Sequence, residues 1–214
     1  MSDKSINFTF LEDHSDISQT YPSDAVIFQQ NTVAREVFIV REGLVKQVRT
    51  EVNGAETIVG LRSEGALIGA VSLLTEKPHS FAAICVSKCV MLRLPAPAFL
   101  RVLQGNSHYA RLLCHGLACE IIEQLTRFSE LACLPARLRL EYFLRDNIES
   151  EELNMIAGRA HLRLPLKECD IAQVISVTPV HLSRLMSHIE KEGVVTRCKS
   201  GLMVDFSRLA RRAP

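Results

Sequence analysis

A group of side chains between residues 180 and 188 has the types and the spacing to contact another molecule. They recur at helical spacing and therefore share one side of a helix, which we call the outer face. The outer face consists of Val180, His181, Ser183, Arg184, Ser187 and His188. A guanidinium fork matches the O6 and N7 acceptors of guanine, and valine methyl groups suit a thymine methyl. The outer face predicts base reading in a DNA major groove through Arg184, with Ser183 reaching a neighbouring base or phosphate.

The helix that carries the outer face has recognisable ends. Thr178 is a good N-cap, Pro179 suits the first turn, and Gly193 is a natural stop. An apolar stripe on the opposite side faces a core and consists of Leu182, Leu185, Met186 and Ile189. The free N–H groups at the helix start, together with the Thr178 hydroxyl, suit a phosphate. The alternative is that Arg184 is a solvated surface residue and the helix only a packing element.

The segments on both sides of this helix predict a winged helix-turn-helix. The stretch LPLKECDIAQVI places Ile171, Val174 and Ile175 on one face, and only a brief turn separates it from the next helix. The stretch VVTRCKSGLMVDF predicts two strands around a turn at residues 199–201, where Lys199 can touch the DNA backbone. This order of elements is used chiefly to insert the second helix into the major groove.

The distribution of charge is compatible with a polyanion partner for the C-terminal part. The chain has 25 Lys+Arg and 24 Asp+Glu, which gives a formal net charge of +1. From residue 159 onward there are 10 basic and 5 acidic residues, whereas the preceding part has 15 and 19. Because a moderate excess is also common on solvated surfaces, it supports a nucleic-acid partner only together with the helix pair.

The N-terminal part has the pattern of a β domain. Short β-branched and apolar runs separated by glycine extend from about residue 25 to residue 94. Within them FIVREGLVKQV predicts a hairpin that bends at Gly43. A long helix follows, with Asn106 and Ser107 as candidate caps. We therefore divide the chain into a β domain (1–106), a long helix (107–134) and a DNA-binding domain (135–214).

The apolar residues of the long helix cover more than one stripe. They include Leu112, Leu113, Leu117, Ile121, Ile122, Leu125 and Phe128. An arc this wide must be covered on two sides, by the β domain and by a further surface. A second copy of the chain is the simplest cover, so the sequence predicts a homodimer. The predicted interface residues are Leu117, Ile121, Leu125 and Phe128.

Bulk composition excludes several classes of protein. With 47% hydrophobic and 23% charged residues the chain can bury a core and is not disordered. No apolar run long enough for a membrane span or a signal peptide is present, which predicts a cytoplasmic protein without a membrane partner. The seven cysteines are irregularly spaced, which predicts reduced thiols, most of them small core residues. No nucleophile with its base, phosphate loop or metal-ligand spacing appears, so we expect no enzyme.

The segment DIAQVISVTPVHLSRLM is the most specific in the chain. Within it TPVHLSR resembles the recognition helices of the cyclic-AMP receptor protein and fumarate-nitrate regulator (Crp/Fnr) family of bacterial transcription factors, with Ser183 and Arg184 at the base-contacting Ser-Arg positions. The resemblance implies an α+β fold with an N-terminal cyclic-nucleotide-binding-type β-roll, a long dimerisation helix and a C-terminal winged helix-turn-helix. It implies a homodimer on a palindromic operator in double-stranded DNA, with RNA polymerase as a partner. Many members have glutamate where this chain has Val180, so we expect a different half-site.

The β domain resembles the effector domain of the same family over VFIVREGLVKQV and EGALIGAVSLLTEKPHSFAAICV. In cyclic-nucleotide-binding members the second segment supplies a glutamate for the ribose and an Arg-Ser pair for the cyclic phosphate. Here Gly69, Ala70, Ser80 and Phe81 fall at this place, and we call them the predicted effector residues. A phosphate buried without its arginine lacks charge-assisted hydrogen bonds. We therefore expect that cyclic AMP does not bind in the usual way and that any effector is another small molecule.

The signal that the β domain senses stays open, and its cofactor is unknown. An N-terminal iron–sulfur cluster is excluded because the first cysteine is Cys85. The other candidates, without diagnostic spacing, are Cys85 with Cys89 or Cys114 with Cys119 for redox sensing, and His79, His108 or His115 for haem. The favoured interpretation is that the cysteines fill the core and that the histidines lie at the surface or in caps. Two further alternatives are a constitutive regulator without effector and a small-molecule enzyme on a cupin-like β domain with a helical tail, for which the histidines are too dispersed.

Overall fold

The structure is a computed structural model that describes Leu11 and residues 17–150, 158–198 and 201–211. The strands are β1 Ile17–Tyr21, β2 Val26–Phe28, β3 Glu36–Glu42, β4 Val45–Thr50, β5 Glu56–Arg62, β6 Leu67–Ile68, β7 Ala82–Cys85, β8 Cys89–Pro95, β9 Arg159–Leu162, β10 Val195–Cys198 and β11 Gly201–Asp205. The helices are α1 Ala70–Leu74, α2 Ala96–Gly105, α3 Ser107–Cys133, α4 Ala136–Ser150, α5 Glu168–Val174 and α6 Pro179–Lys191. Inside α3, between Glu123 and Gln124, the chain divides into two compact units.

The N-terminal unit contains two antiparallel four-stranded sheets, ordered β1-β8-β3-β6 and β2-β7-β4-β5. Strand β3 is apolar on both faces because each face packs into a different core. Val37 and Ile39 lie in one cluster with Phe99 of α2. Phe38 and Val40 lie in a second cluster, which joins residues of both sheets. The prediction of a β-rich N-terminal part is confirmed.

The predicted hairpin at Gly43 is wrong. Strand β3 pairs with β6 and β8, whereas β4 pairs with β5 and β7. The chain crosses from one sheet to the other at Gly43, whose φ of 96° suits glycine. A Cβ there would lie 2.5 Å from the carbonyl oxygen of Lys88 and 2.7 Å from Cys89 Sγ. The two runs do not form a hairpin because each finds its partners elsewhere in the sequence.

Helix α3 begins where predicted and changes its surroundings along its length. Asn106 Oδ1 accepts a hydrogen bond from the His108 N–H at 2.9 Å, as a cap does. In the first half Leu113 is buried, and Leu117 packs against the core of the N-terminal unit. In the second half large apolar side chains are exposed, and we call them the apolar stripe of α3. The apolar stripe consists of Ile121, Ile122, Leu125 and Phe128.

The C-terminal unit is a winged helix-turn-helix. As predicted, α5 and α6 form the helix pair and β10 and β11 the wing hairpin. A third strand that was not predicted, β9, pairs with β11 and completes a sheet of order β10-β11-β9. Its buried Ala160 and Leu162 alternate with Arg159 and His161, which are not buried. This period of two is the sequence signal that could have revealed β9.

Two arginines hold the carboxyl end of α5. Arg127 of α3 donates through Nη2 to the Val174 carbonyl oxygen at 3.0 Å. Arg139 of α4 donates to the carbonyl oxygens of Leu131 at 3.0 Å and Ser176 at 3.4 Å. The last carbonyl groups of a helix lack N–H partners and carry partial negative charge, so both guanidinium groups stabilise this end. The final turns of α3 are thereby joined to the helix pair.

The expectation that most cysteines lie in the core is wrong. Cys85 and Cys89 are buried and Cys119 is partly buried. The exposed cysteines are Cys114, Cys133, Cys169 and Cys198. They are exposed because they occupy outward positions of α3, α5 and β10 rather than the packed faces of these elements. Burial, followed by the neighbouring thiol of Cys89, raises the pKa of Cys85 to about 12, so this thiol is unreactive at neutral pH.

Candidate nucleic-acid interface

A tight turn between α5 and α6 sets the position of the outer face. Ser176 has a φ of 53°, a left-handed conformation that is uncommon for serine. The Val177 N–H donates to the Ala172 carbonyl oxygen at 2.9 Å and closes α5. Thr178 then caps α6 by accepting a hydrogen bond from the His181 N–H at 3.2 Å. The predicted cap is confirmed, and it fixes where the first turn of α6 lies.

Helix α6 has the two sides that its spacing predicts. Leu182 and Ile189 are buried, and Leu185 and Met186 are partly buried. All side chains of the outer face are exposed, and Val180 keeps 63% of its surface exposed. An apolar side chain in this position is available to an apolar partner such as a thymine methyl. The structure thus leaves the outer face free to contact another molecule.

Arg184 differs from the other arginines close to α6. It is exposed, and across the described residues no acceptor bonds to it. Arg197 of β10 forms ion pairs with Glu168 at 3.2 Å and Glu190 at 3.6 Å. Arg208 donates to a backbone carbonyl oxygen at 2.7 Å. The guanidinium of Arg184 therefore has its full donor capacity available.

The hydroxyl and backbone donors of α6 are also partly available. The Ser187 hydroxyl already donates to the Ser183 carbonyl oxygen at 2.9 Å. The Thr178 oxygen accepts the cap hydrogen bond but keeps its own proton as a donor. The Val180 N–H lies in the first turn and has no acceptor within its helix. Together with Arg184 these donors suit an anionic phosphate and the edge of a base.

A cluster that the sequence analysis did not identify holds the far end of α6. Arg137 of α4 donates to Glu192 at 2.9 Å and through a second N–H, and it donates through Nε to Glu141 at 2.8 Å. Arg137, and to a smaller extent His188, holds the pKa of Glu192 below its usual range. The i,i+4 spacing of Arg137 and Glu141 is a sequence signal. No such signal marks Glu192, which lies 55 residues from Arg137.

The wing is described up to its tip. The predicted Lys199 lies outside the described residues, so the structure says nothing about its position. After the tip, Gly201 passes close to β9, where an added Cβ would lie 2.3 Å from the Leu162 carbonyl oxygen. The wing is therefore packed tightly against β9 at the start of β11.

The predicted effector residues lie at two places in the N-terminal unit. Gly69 and Ala70 begin α1, where Ala70 is buried in the core. Ser80 is exposed and Phe81 is half-buried. The Arg49 guanidinium donates through Nη1 to the Ser80 carbonyl oxygen at 3.5 Å. None of the four predicted residues carries a charge of its own, and Ala70 serves the packing of the core.

The predicted dimer residues are mostly exposed. Ile121 and Leu125 keep 59% and 63% of their surface exposed, and Phe128 keeps 69%. Ile122, which was not among the predicted interface residues, is 64% exposed. Leu117 instead packs, partly buried, against the core of its own unit. A contiguous row of such side chains is unfavourable in water and marks an interaction surface.

Three observations concern the membrane, metal and haem alternatives. In the described parts of the chain no helix is both long and apolar enough to cross a membrane. Across the same ranges no three His, Cys, Asp or Glu side chains are grouped to hold a metal ion. His79, expected at the surface or in a cap, is buried and stacks on the Phe28 ring with the centroids 3.8 Å apart. Burial lowers the pKa of His79, because a buried imidazole is more stable when neutral.

The chain is similar to known proteins along most of its length. The family of cyclic nucleotide-binding domains matches residues 18–106, and the family of Crp-like helix-turn-helix domains matches residues 138–212. A cyclic AMP receptor protein of Thermus thermophilus is 26% identical over 175 residues, which are 82% of this chain and 77% of that protein. The regulatory protein HlyX of Actinobacillus pleuropneumoniae is 23% identical over 172 residues, 80% of this chain and 70% of HlyX. The structure of FixK2 from Bradyrhizobium japonicum superposes with a TM-score of 0.78 at 20% identity, covering 92% of this chain and 98% of that one.

Proposed function

The chain belongs to the Crp/Fnr family of transcription regulators, and on this premise we propose that it reads a palindromic operator with the outer face of α6. The observation that carries this proposal is the exposed guanidinium of Arg184, which has no partner among the described residues. Such a fork can bind the O6 and N7 atoms of one guanine. Ser183 and Val180 lie beside it, on the side of α6 that would enter the groove. The remaining assigned DNA contacts are Thr178, His181, Ser187 and Lys199.

The proposal includes a homodimer formed through the apolar stripe of α3. A two-fold axis would present one α6 helix to each half of a palindromic site, which is the geometry that helix-turn-helix dimers use. The protein would act by binding and not by catalysis. Because a transcription regulator acts at promoters, we assign it a cytoplasmic location and RNA polymerase as a partner.

The proposed test of base reading replaces Arg184 by alanine. On an operator selected from random DNA, Arg184→Ala should lose roughly 1–3 kcal/mol of binding free energy and should no longer discriminate one base pair in each half-site. Lys191→Ala is the matched control, because Lys191 is an exposed cation seven residues further along the same helix. It should weaken binding to all sequences alike. Equal losses on operator and scrambled DNA for Arg184→Ala would show that this residue does not read bases.

Cyclic AMP would not be bound in the usual way, since the predicted effector residues offer no arginine to the phosphate. Cyclic AMP at micromolar concentration should then neither raise the melting temperature nor tighten binding to the operator. Calorimetry is the direct measurement. A saturable heat at micromolar cyclic AMP would contradict this part of the proposal and leave the DNA contacts untouched.

A further inference from the structure

A polar cluster lies on the inner face of the sheet β2-β7-β4-β5. In the β4–β5 ladder Gln47 is opposite Gly60 and Val45 is opposite Arg62, so these residues project from the same face. Val45 belongs to the core cluster that joins the two sheets, which identifies this face as the inner one. Gln47 is only 5% exposed. Polar groups of β4 and β5 are thus held at the border of an apolar core.

The guanidinium of Arg62 has donors that its surroundings do not use. The side chain is 11% exposed. Nη1 donates to the Leu61 carbonyl oxygen at 3.0 Å. Nε is buried and has no hydrogen-bond partner among the described residues. A buried donor without a partner costs free energy. A ligand oxygen that accepts a hydrogen bond from Arg62 Nε would remove this cost.

The carboxylate that faces Arg62 is held loosely. Glu120 of α3 lies 3.6 Å from Arg62 Nη2, beyond the roughly 2.7–2.9 Å of a charge-assisted hydrogen bond. Burial raises the pKa of Glu120, while Arg62 lowers it and Glu123 raises it further. The ion pair is therefore a single long contact and not the two-pronged pair that an arginine and a carboxylate can form.

Gly60 lets the side chains of Gln47 and Arg62 lie directly over the backbone of β5. An added Cβ at Gly60 would lie 2.8 Å from Gln47 Oε1 and 3.1 Å from Arg62 Nη1. A side chain at this position would push against both groups. The amide and the guanidinium consequently converge over a backbone that carries no side chain.

We propose that Gln47, Gly60, Arg62 and Glu120 form the binding site of a small carboxylic-acid effector, whose carboxylate displaces that of Glu120 from Arg62. Glu120 acts as the resident stand-in for the ligand group, and Arg62 supplies the fork that binds it. Glu120 directly precedes Ile121, the first residue of the apolar stripe of α3. The ligand would therefore act on α3 where its exposed apolar surface begins. This inference rests on the proposed function, because it names the signal that the regulator would sense.

The test supplies the missing carboxylate from solution. In Glu120→Ala, sodium acetate at constant ionic strength should raise the midpoint of thermal unfolding in a saturable way by about 3 °C, relative to sodium chloride. The wild-type chain should show the same rise with about tenfold weaker apparent affinity, because its own carboxylate competes. The double variant Glu120→Ala/Arg62→Gln should show no saturable rise. Circular dichroism is a suitable readout because the chain contains no tryptophan.

The matched control is Glu51→Ala, which removes the carboxylate of the exposed Arg49–Glu51 pair at 2.7 Å on the same sheet. It should show only the weaker acetate response of the wild-type chain, without the tighter response expected of Glu120→Ala. Where Glu120→Ala fails to fold, Glu120→Gln takes its place in the same titration. The site is disproved by a missing response in the Glu120 variant, by a response that persists without Arg62, or by a wild-type chain that does not respond at all.

The same proteins are assayed for operator binding without acetate. A normal acetate response together with absent DNA binding would count against the proposed function alone. Normal DNA binding together with an absent acetate response would count against this site alone.

Discussion

Helices α3 and α6 each bury one side and expose another, but the exposed sides have opposite chemistry. In the second half of α3 the exposed side consists of Ile121, Ile122, Leu125 and Phe128. The exposed side of α6 carries serines, histidines and one arginine, with Val180 as its apolar member. Both helices therefore present a second surface. The amino-acid composition of each surface indicates which kind of partner it can bind. An apolar row is stabilised by another apolar surface, whereas a row of short polar residues around an arginine suits the edges of bases and phosphates.

The two helices also differ in how their positions are fixed. Helix α6 has a threonine cap at its start and the Arg137–Glu192 pair at its end. Helix α3 has a cap at Asn106 and an ion pair from Arg62 to Glu120 about half-way along. Its last turns are joined to the helix pair by the hydrogen bonds of Arg127 and Arg139. Both helices are thus held at their ends, but the apolar stripe of α3 begins next to a single long ion pair. We infer that α6 is built for a fixed geometry and that the stripe of α3 is where a signal can act.

The largest expected effect, on dimerisation and operator affinity, comes from making the apolar stripe of α3 polar. Replacing Ile121 and Leu125 by lysine should produce monomers, because four cations facing each other across a two-fold axis repel and cannot pack as apolar side chains do. Affinity for a palindromic operator should fall by roughly 100-fold or more, since the two half-sites are no longer bound by one linked molecule. Light scattering gives the mass. A dimer that survives in this variant would mean that the interface lies elsewhere.

The control for this variant is Val52→Lys. Val52 is an exposed apolar residue in the β4–β5 turn, outside the apolar stripe. Its replacement should leave both the molecular mass and operator binding unchanged.

An intermediate effect should follow from removing the cap that positions α6. Thr178→Ala should lower the free energy of unfolding of the C-terminal unit by about 1 kcal/mol, because the His181 N–H loses its acceptor. Ser183→Ala, exposed on the same helix, should change stability by less than about 0.5 kcal/mol while weakening operator binding. Urea unfolding followed by circular dichroism measures the first quantity. Equal stability losses in the two variants would contradict the assignment of Thr178 as the cap of α6 and of Ser183 as a DNA contact.

The smallest expected effect concerns the wing. Lys199→Ala should weaken binding to all sequences about equally and make the salt dependence shallower by about one unit for each phosphate that the lysine no longer neutralises. Arg184→Ala should instead change the preference among sequences. Titrations of operator and scrambled DNA at several salt concentrations separate the two. A loss of sequence preference in Lys199→Ala would place the wing among the base-reading elements.

Local signals in the sequence predicted helix α6 well. Thr178, Pro179 and the stripe from Leu182 to Ile189 act within a few residues of each other, so the cap and the two faces of α6 follow from spacing alone. The start of α3 at Ser107, after the cap residue Asn106, follows in the same way. These features need no knowledge of the rest of the chain.

Features that depend on distant partners were missed. The run on either side of Gly43 pairs with four other strands and not with itself, and β9 finds its partner about forty residues later at β11. The Arg62–Glu120 ion pair joins a strand to a helix that begins far along the sequence. No periodicity within a window encodes such pairings, since they are decided by which apolar faces meet in the folded unit. Gln47, Arg62 and Glu120 accordingly carried no sequence signal.

The hydrogen bond from Arg127 to the carboxyl end of α5 has a consequence for dissecting the molecule. A DNA-binding fragment cut at Pro135, the boundary that the sequence predicts, would lack this guanidinium and leave the Val174 carbonyl oxygen without its side-chain donor. A fragment that starts at Gln124 keeps it, together with the Leu131 carbonyl group that orients Arg139. The protein is therefore best divided in the middle of α3, so that the last turns of this helix remain in the DNA-binding fragment.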